Sequence, residues 1–234
     1  MKKLFLSLLI SLSFSAGANA QTGIIFSNGF SNLVFPYKTD PQNYSLNTLI
    51  DGEFIAGTPY LDFQWRKGTI LLKDGKYFDN YLLKFDTYHQ VVMFLAGKDS
   101  LEVSDPIKEF TIDDHKGGTH HFVNAAEYKK QKKPLFYEIL AEEKRGQLLK
   151  TTRAIATTSD AITNAKENKR LKFVYEYFYY DNSTGKTAPV KFNRASVKTA
   201  IGLTPQEEDA LFFNSAAFND EDDLVTFFRV YLKS

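Results

Sequence analysis

Cysteine is absent from this chain of 234 residues. Its absence excludes disulfide bonds, thiol nucleophiles and the zinc sites that cysteine builds. Long apolar runs are also absent beyond residue 20, because phenylalanine and tyrosine alternate there with charged residues. A membrane helix needs roughly 18 or more consecutive apolar residues, so we expect no transmembrane segment after residue 20.

An excess of charge of one sign is missing as well. The chain has 29 basic and 28 acidic side chains, and removal of a leader that holds two lysines would leave 27 basic side chains. A protein so close to neutrality has no general electrostatic attraction to nucleic acid or to an anionic membrane surface. We therefore expect no nucleic-acid partner.

Recognised catalytic motifs are missing too. The chain has no Gly-x-Ser-x-Gly, no phosphate-binding glycine loop and no His-Glu-x-x-His. These absences favour a non-catalytic protein without a cofactor. Carboxylates that are distant in sequence can still meet in a folded hydrolase, so that class stays open.

The first 20 residues have the order of a secretory signal peptide. Lys2 and Lys3 precede an apolar run over residues 4–14, and small residues end the segment at Ala18-Asn19-Ala20. We predict cleavage before Gln21 and export to the periplasm, the cell envelope or the exterior.

Strand and turn signals dominate residues 59–190. In TILLKDGKYF, the pair Asp74-Gly75 separates two apolar runs and tolerates the positive φ angles of a tight hairpin turn. Short strands follow one another with no helix between them, which predicts a mainly β (α+β) fold built on an antiparallel meander, sandwich-like or open barrel-like. Strands are expected near residues 69–73, 76–85, 91–95, 107–112, 120–125, 135–140, 148–157 and 171–180.

The segment LKFVYEYFYY, residues 171–180, alternates most clearly. Its odd-numbered positions are apolar or aromatic, whereas Lys172 and Glu176 lie between them. A period of two places the odd face on a core. We therefore expect Tyr175, in the middle of that face, to be buried.

A helical period begins after residue 190. In LTPQEEDALFF, Thr204 is a candidate N-cap, proline occupies the first helical position and Glu207 completes a capping box. A later helix is predicted to start from a cap at Asn219 or Asp220, and an earlier one to end at Gly202.

These changes in period and composition divide the chain into four parts. The parts are a signal peptide (1–20), an irregular lead-in with one or two edge strands (21–58), an antiparallel β domain (59–190) and a small C-terminal helical unit (191–234).

Several of these segments resemble a family of exported, signal-peptide-bearing proteins of Bacteroidetes-type bacteria that has no assigned activity. The resemblance lies in Trp65-x-x-Gly68, the Asp74-Gly75 turn, the strand LKFD at residues 83–86 and the tail DEDDLVTFFRVY. Phe85 departs from the tyrosine expected in that strand. The resemblance implies export and this architecture, and it implies no catalytic residues.

One polar cluster suggests a metal site. Three of the four histidines lie in IDDHKGGTHH, residues 112–121. If Gly117-Gly118 forms the turn, His115 lies opposite His120, and both point away from the core together with Asp113. Two imidazoles and a carboxylate could hold zinc or copper at the surface. A polar hairpin tip without a metal is the favoured interpretation.

Aromatic residues provide a second candidate site. Tyr60, Phe63 and Trp65, or Tyr77 with Tyr81, could form a platform on which sugar rings stack. Packing in a core or an interface is the alternative, because tyrosine is also a good strand former.

The sequence as a whole favours an exported, non-catalytic envelope or periplasmic protein that acts through its surface. Its partner would be another envelope protein or a glycan. A glycan-binding module and a hydrolase assembled from distant residues are the alternatives.

Overall fold

The computed structural model describes residues 47–50, 53–129, 135–158, 169–211 and 213–234. The predicted signal peptide and most of the lead-in lie outside these residues. Strands are β1 (Asn47–Ile50), β2 (Glu53–Ala56), β3 (Arg66–Leu72), β4 (Tyr77–Asp86), β5 (Val91–Ala96), β6 (Asp99–Glu102), β7 (Ile107–Asp113), β8 (Thr119–Asn124), β9 (Phe136–Glu143), β10 (Gly146–Thr158), β11 (Lys169–Asp181) and β12 (Lys186–Val190). Helices are α1 (Arg194–Ile201), α2 (Pro205–Ala210) and α3 (Glu221–Tyr231), with 3-10 turns at Ala125–Glu127 and Phe213–Ser215.

The strands form one large open sheet that consists mainly of two antiparallel meanders. Strands β3 to β6 pair in chain order, strands β7 to β12 do the same, and β3 pairs with β7 to join the two meanders. The β1–β2 hairpin meets β11 through the parallel pair Arg170 and Ala56. The predicted mainly β fold is confirmed, and β1 and β6 lie at the two ends of the sheet.

The strand predictions hold wherever apolar residues alternate. The β3–β4 hairpin turns at Asp74-Gly75, where Gly75 has a φ of +89°. Strands β6 and β12 were not predicted, because DSLE is polar and KTAPV contains a proline. That proline is Pro189 of β12, and it lies opposite Phe178 of β11. Among the described strands, β12 pairs only with β11. A missing N–H is tolerated in such a peripheral strand.

Four phenylalanines from four strands form the centre of one hydrophobic core, here called the phenylalanine core. Phe85, Phe110, Phe122 and Phe136 are each at most 4% exposed, and the ring centroids of their contacting pairs lie 4.7–5.8 Å apart. Burying each of these rings contributes about 1.5–3 kcal/mol before conformational entropy is subtracted.

The predicted helix caps are present. Thr204 and Glu207 form the capping box of α2, Asp220 caps α3, and Gly202 ends α1 with a φ of 63°. In the described part of the chain, no helix has the length and apolar character needed to cross a bilayer.

The helical unit packs on one face of the sheet and forms a second core, here called the helical core. From the sheet it takes Leu148, Tyr177 and Tyr179, and from α3 it takes Leu224 and Phe228, all of which are buried. The two cores lie on the same face of the sheet. A chain of directly opposed residues on neighbouring strands runs from one core to the other, through Phe122, Glu138, Lys150 and Tyr177, and opposed residues share a face.

A buried amide connects the two meanders where β9 begins. Gln90 Nε2 donates hydrogen bonds to the carbonyl oxygens of Thr87 (2.8 Å) and Thr152 (3.0 Å), and Gln90 Oε1 accepts one from Phe136 N (3.1 Å). Ala154 N also donates to Thr87 O at 3.3 Å. The turn after β4 therefore provides hydrogen-bond partners for the part of β10 that lies beyond the residues paired with β9.

Replacing Gln90 with methionine should destabilise the protein by about 2–4 kcal/mol, because it removes the side-chain hydrogen bonds to Thr152 O and Phe136 N and one of the two bonds to Thr87 O in this buried site. Urea denaturation of the two proteins measures this difference. Gln64→Met, at an exposed position, is the control and should change stability by less than about 0.5 kcal/mol. Equal stabilities of the Gln90→Met and Gln64→Met variants would show that the amide does not join the meanders.

Candidate functional site

A row of polar side chains crosses the sheet between the two cores. Phe122 lies opposite Glu138, Glu138 opposite Lys150, and Lys150 opposite Tyr177. Directly opposed residues of neighbouring antiparallel strands point to the same face. We call His120, Glu138, Lys150, Tyr177 and Glu221 the polar seam.

The polar seam lies between the phenylalanine core and the helical core, at positions that belong to neither. Along β9, Phe136 belongs to the phenylalanine core, whereas Leu140 and Ala141 pack against the helical core. Glu138 lies between them. Charged groups therefore occupy the middle of a row whose ends are apolar.

Glu138 is the most deeply buried carboxylate of the seam, at 6% exposure. Its Oε1 lies 2.6 Å from His120 Nδ1, and its Oε2 lies 3.7 Å from Lys150 Nζ. The hydrogen bond to Glu138 raises the pKa of His120 above its ordinary value, against the opposing effect of burial. Glu138 thus has two basic partners that compensate for its loss of solvation.

Lys150 connects the sheet to the helical unit. Its Nζ lies 2.8 Å from Glu221 Oε2, and its side chain is 14% exposed. Burial acts to lower the pKa of Lys150, but the charges of Glu138 and Glu221 outweigh it, so the net shift is upward. The same ammonium lies 5.1 Å from the centroid of the Tyr175 ring, within the range of a cation–π contact.

Glu221 occupies the first turn of α3, where a negative charge interacts favourably with the helix dipole. The hydroxyl of Tyr177 donates a hydrogen bond of 2.6 Å to Glu221 Oε2. Burial and this hydrogen bond together raise the pKa of Tyr177 far above its ordinary value. Glu221 is about one-third exposed, so its carboxylate is also accessible from solvent.

The two carboxylates of the seam share one basic partner. A glycosidase needs one carboxyl that donates a proton and a second that attacks the sugar or activates water. Here Glu138 and Glu221 are both paired with one ammonium, and each accepts a further hydrogen bond, from His120 and Tyr177 respectively. The arrangement can hold fixed donors and acceptors next to a ligand.

Exposed aromatic rings lie beside the seam. Tyr175 is 48% exposed, so the expectation that it is buried is wrong. Phe192 is 39% exposed, and its ring centroid lies 4.8 Å from that of Tyr177. Leu171, Tyr177 and Tyr179 are buried as expected, because hydrophobic clusters cover those positions but leave Tyr175 open. We call Tyr175 and Phe192, with Lys150 and Glu221, the aromatic surface.

The predicted aromatic platform has a different arrangement. Lys84 Nζ lies 4.8 Å from the ring centroid of Tyr60 and 5.0 Å from that of Trp65, and it donates a hydrogen bond to the carbonyl oxygen of Phe63. Burial lowers the pKa of this lysine. Of the three predicted residues, Phe63 is the exposed one, at 57%. The structure brings Tyr60 and Trp65 together around a lysine, and ligand binding there stays a prediction.

The predicted metal ligands are not brought together. The β7–β8 pairing sets His120 opposite Ile112 rather than opposite His115, so His120 lies on the core face with Phe122. Asp113 is exposed and accepts a hydrogen bond from Thr119 Oγ1, and His115 is exposed in the turn. In the described part of the chain, no three His, Asp or Glu side chains are close enough to hold a metal ion. Zinc or copper binding stays a prediction.

The register differs because an aspartate side chain shapes the turn. Asp114 Oδ1 accepts hydrogen bonds from the backbone N–H groups of Lys116 and Gly118, both at 2.7 Å. Asp114 N also donates to Gly118 O, which places the turn between these two residues. The tip is therefore a polar hairpin turn held by the side chain of Asp114.

The residues of the seam were not identified from the sequence, apart from His120. A signal was present, because Glu138 and Lys150 interrupt the apolar segments LFYEIL and LLKTT. The residues that pair with Glu138 and Lys150 depend on the order of the strands and on the packing of α3. No local sequence pattern specifies either of these.

A separate cavity of about 410 Å³ opens between β5, β6 and the start of β9. Glu102, Val103 and Phe136 are among its lining residues. Burial raises the pKa of Glu102. Because Glu102 lies in this separate cavity, its replacement can serve as a control for substitutions in the seam.

Replacing Lys150 with methionine should destabilise the protein by about 3–5 kcal/mol, because Glu138 then keeps a buried charge without its ammonium partner. Adding Glu138→Gln should restore part of that loss, since the buried charge is removed. Denaturation of the single and double variants measures both effects.

Arg153→Met is the matched control, because Arg153 lies on the same strand as Lys150 and pairs with a glutamate, Glu176, on the neighbouring strand β11. Arg153 and Glu176 are 44% and 49% exposed, so the loss should be less than about 1 kcal/mol. A Lys150→Met loss as small as the Arg153→Met loss would contradict the role given to the seam.

Stability should depend on pH through His120. A histidine whose pKa is raised in the folded protein contributes stability that is complete below its unfolded pKa of about 6.5 and is lost as pH rises through the folded value. The free energy of unfolding should therefore fall above about pH 6.5, and His120→Gln should reduce that fall. Denaturation series from pH 5 to pH 9 measure this, with His115→Gln as the exposed control.

A fall that is equal in the His120→Gln protein and the unmodified protein would refute the assignment of this pH dependence to the His120–Glu138 pair.

Comparison of the chain with protein-family models, with curated proteins and with solved structures finds no match.

Proposed function

We propose that this protein is exported and acts as a non-catalytic binding component of the cell envelope or periplasm, through the aromatic surface beside the polar seam. Export is supported by the order of charged, apolar and small residues in the first 20 positions. The observation that carries binding is the exposure of Tyr175 and Phe192 next to an ordered lysine–glutamate pair.

Exposed aromatic rings beside fixed polar groups are typical of recognition surfaces. Aromatic side chains supply large contact areas with little loss of conformational freedom, and the polar groups orient the ligand. Both glutamates are paired with Lys150, and this favours binding over the hydrolase alternative.

Sedimentation with envelope fragments from the producing cells tests the proposal. The purified protein should pellet with the fragments, and Tyr175→Ala or Phe192→Ala should reduce the bound fraction at least about fivefold, because each removes an exposed ring of the aromatic surface. Leu82→Ala is the control: Leu82 is 40% exposed but lies on β4, away from the seam strands, and belongs to no candidate site.

Protein that stays in the supernatant, or binding that is equal in the Tyr175→Ala and Leu82→Ala variants, would count against the proposed surface. Release of new reducing ends from envelope polysaccharide during the incubation would identify a hydrolase instead.

A further inference from the structure

We infer that the aromatic surface binds an uncharged glycan of the cell envelope. This inference rests on the proposed function and names the ligand of the same site. Its observations are the exposed rings of Tyr175 and Phe192, the charge balance of the seam and the unused hydrogen-bonding capacity of Glu221.

The two exposed rings lie near the same buried tyrosine, Tyr177. Tyr175 and Tyr177 are two residues apart on β11 and point to the same face, so their Cα atoms lie about 7 Å apart. Phe192 packs against Tyr177 at 4.8 Å. Exposed ring surface is thus present next to the buried Tyr177, and the apolar face of a sugar ring can stack on such a surface.

The charged groups of the aromatic surface provide hydrogen bonds without net charge. Within the seam, the ammonium of Lys150 and the carboxylate of Glu221 form an ion pair, so their charges offset each other. An anionic polymer would meet the exposed carboxylate of Glu221, and a cationic one would compete with Lys150 for it. An uncharged, hydroxyl-rich ligand avoids both costs.

Glu221 has acceptor capacity left for such a ligand. It accepts hydrogen bonds from Lys150 and Tyr177, whereas a carboxylate offers about four lone-pair sites. Its side chain is 35% exposed, so the remaining sites can be reached. Sugar hydroxyl groups are suitable donors, and the two protein partners hold the carboxylate in one orientation.

A protein partner is the competing occupant, and the composition of the surface disfavours it. Protein interfaces bury a continuous apolar centre with few charges. Here an ion pair lies beside Tyr175 in the middle of the surface.

The experiment uses the envelope fragments of the sedimentation assay after two treatments. Periodate, which cleaves vicinal diols of sugars, should abolish binding of the protein, whereas digestion of the fragments with proteinase should leave it intact. Loss of binding after proteinase with retention after periodate would overturn the inference in favour of a protein partner and leave the proposed function standing. An absence of binding to untreated fragments would reject both.

A competition experiment tests the charge argument. Envelope polysaccharide is separated by anion exchange into neutral and acidic fractions, and each is added to the assay. The neutral fraction should displace the protein, and Tyr175→Ala should weaken binding of that fraction at least about tenfold.

Glu221→Gln should weaken binding of the neutral fraction by a smaller factor, and Glu102→Gln, in the separate cavity, should have no effect. Melting temperatures confirm that each variant is folded. Displacement by the acidic fraction alone, or equal binding by the Tyr175→Ala and Leu82→Ala variants, would overturn the inference.

Discussion

A single ammonium group on β10 connects the sheet to the helical unit. Lys150 pairs with Glu138 on the neighbouring strand and with Glu221 in the first turn of α3. Glu138 is almost completely buried, so its charge requires a partner inside the protein. The same lysine fixes the start of α3, whose buried residues Leu224 and Phe228 form much of the helical core.

The two cores explain why charge occurs on an otherwise apolar face. The phenylalanine core is formed by side chains of β4, β7, β8 and β9, and the helical unit covers the later strands. Between these two covered regions, the central residues of β9, β10 and β11 have no continuous apolar cover. Lys150 is partly solvated there, and Tyr175 stays exposed although it shares a face with buried Tyr177 and Tyr179.

Much of the fold follows from local patterns, but the candidate site does not. Period-two alternation predicts the long strands, and capping residues such as Thr204 and Asp220 predict the helices, because these signals act within a few residues. The register of the β7–β8 hairpin depended on the side chain of Asp114, and a small shift in pairing moved His120 to the core face. Lys150 and Glu221 are 71 residues apart, so their pairing requires the whole sheet and the docked helix.

The charged row is not needed to complete the fold. Its apolar ends, Phe122 and Val190, show that apolar side chains fit the same row. Replacing a buried ion pair with well-packed apolar residues is often neutral or stabilising, by about 1–4 kcal/mol. A sheet selected only for stability would therefore gain from apolar residues at Glu138 and Lys150. The charges are better explained by what they hold at the surface, since Lys150 positions both Glu221 and the Tyr175 ring where a ligand can reach them.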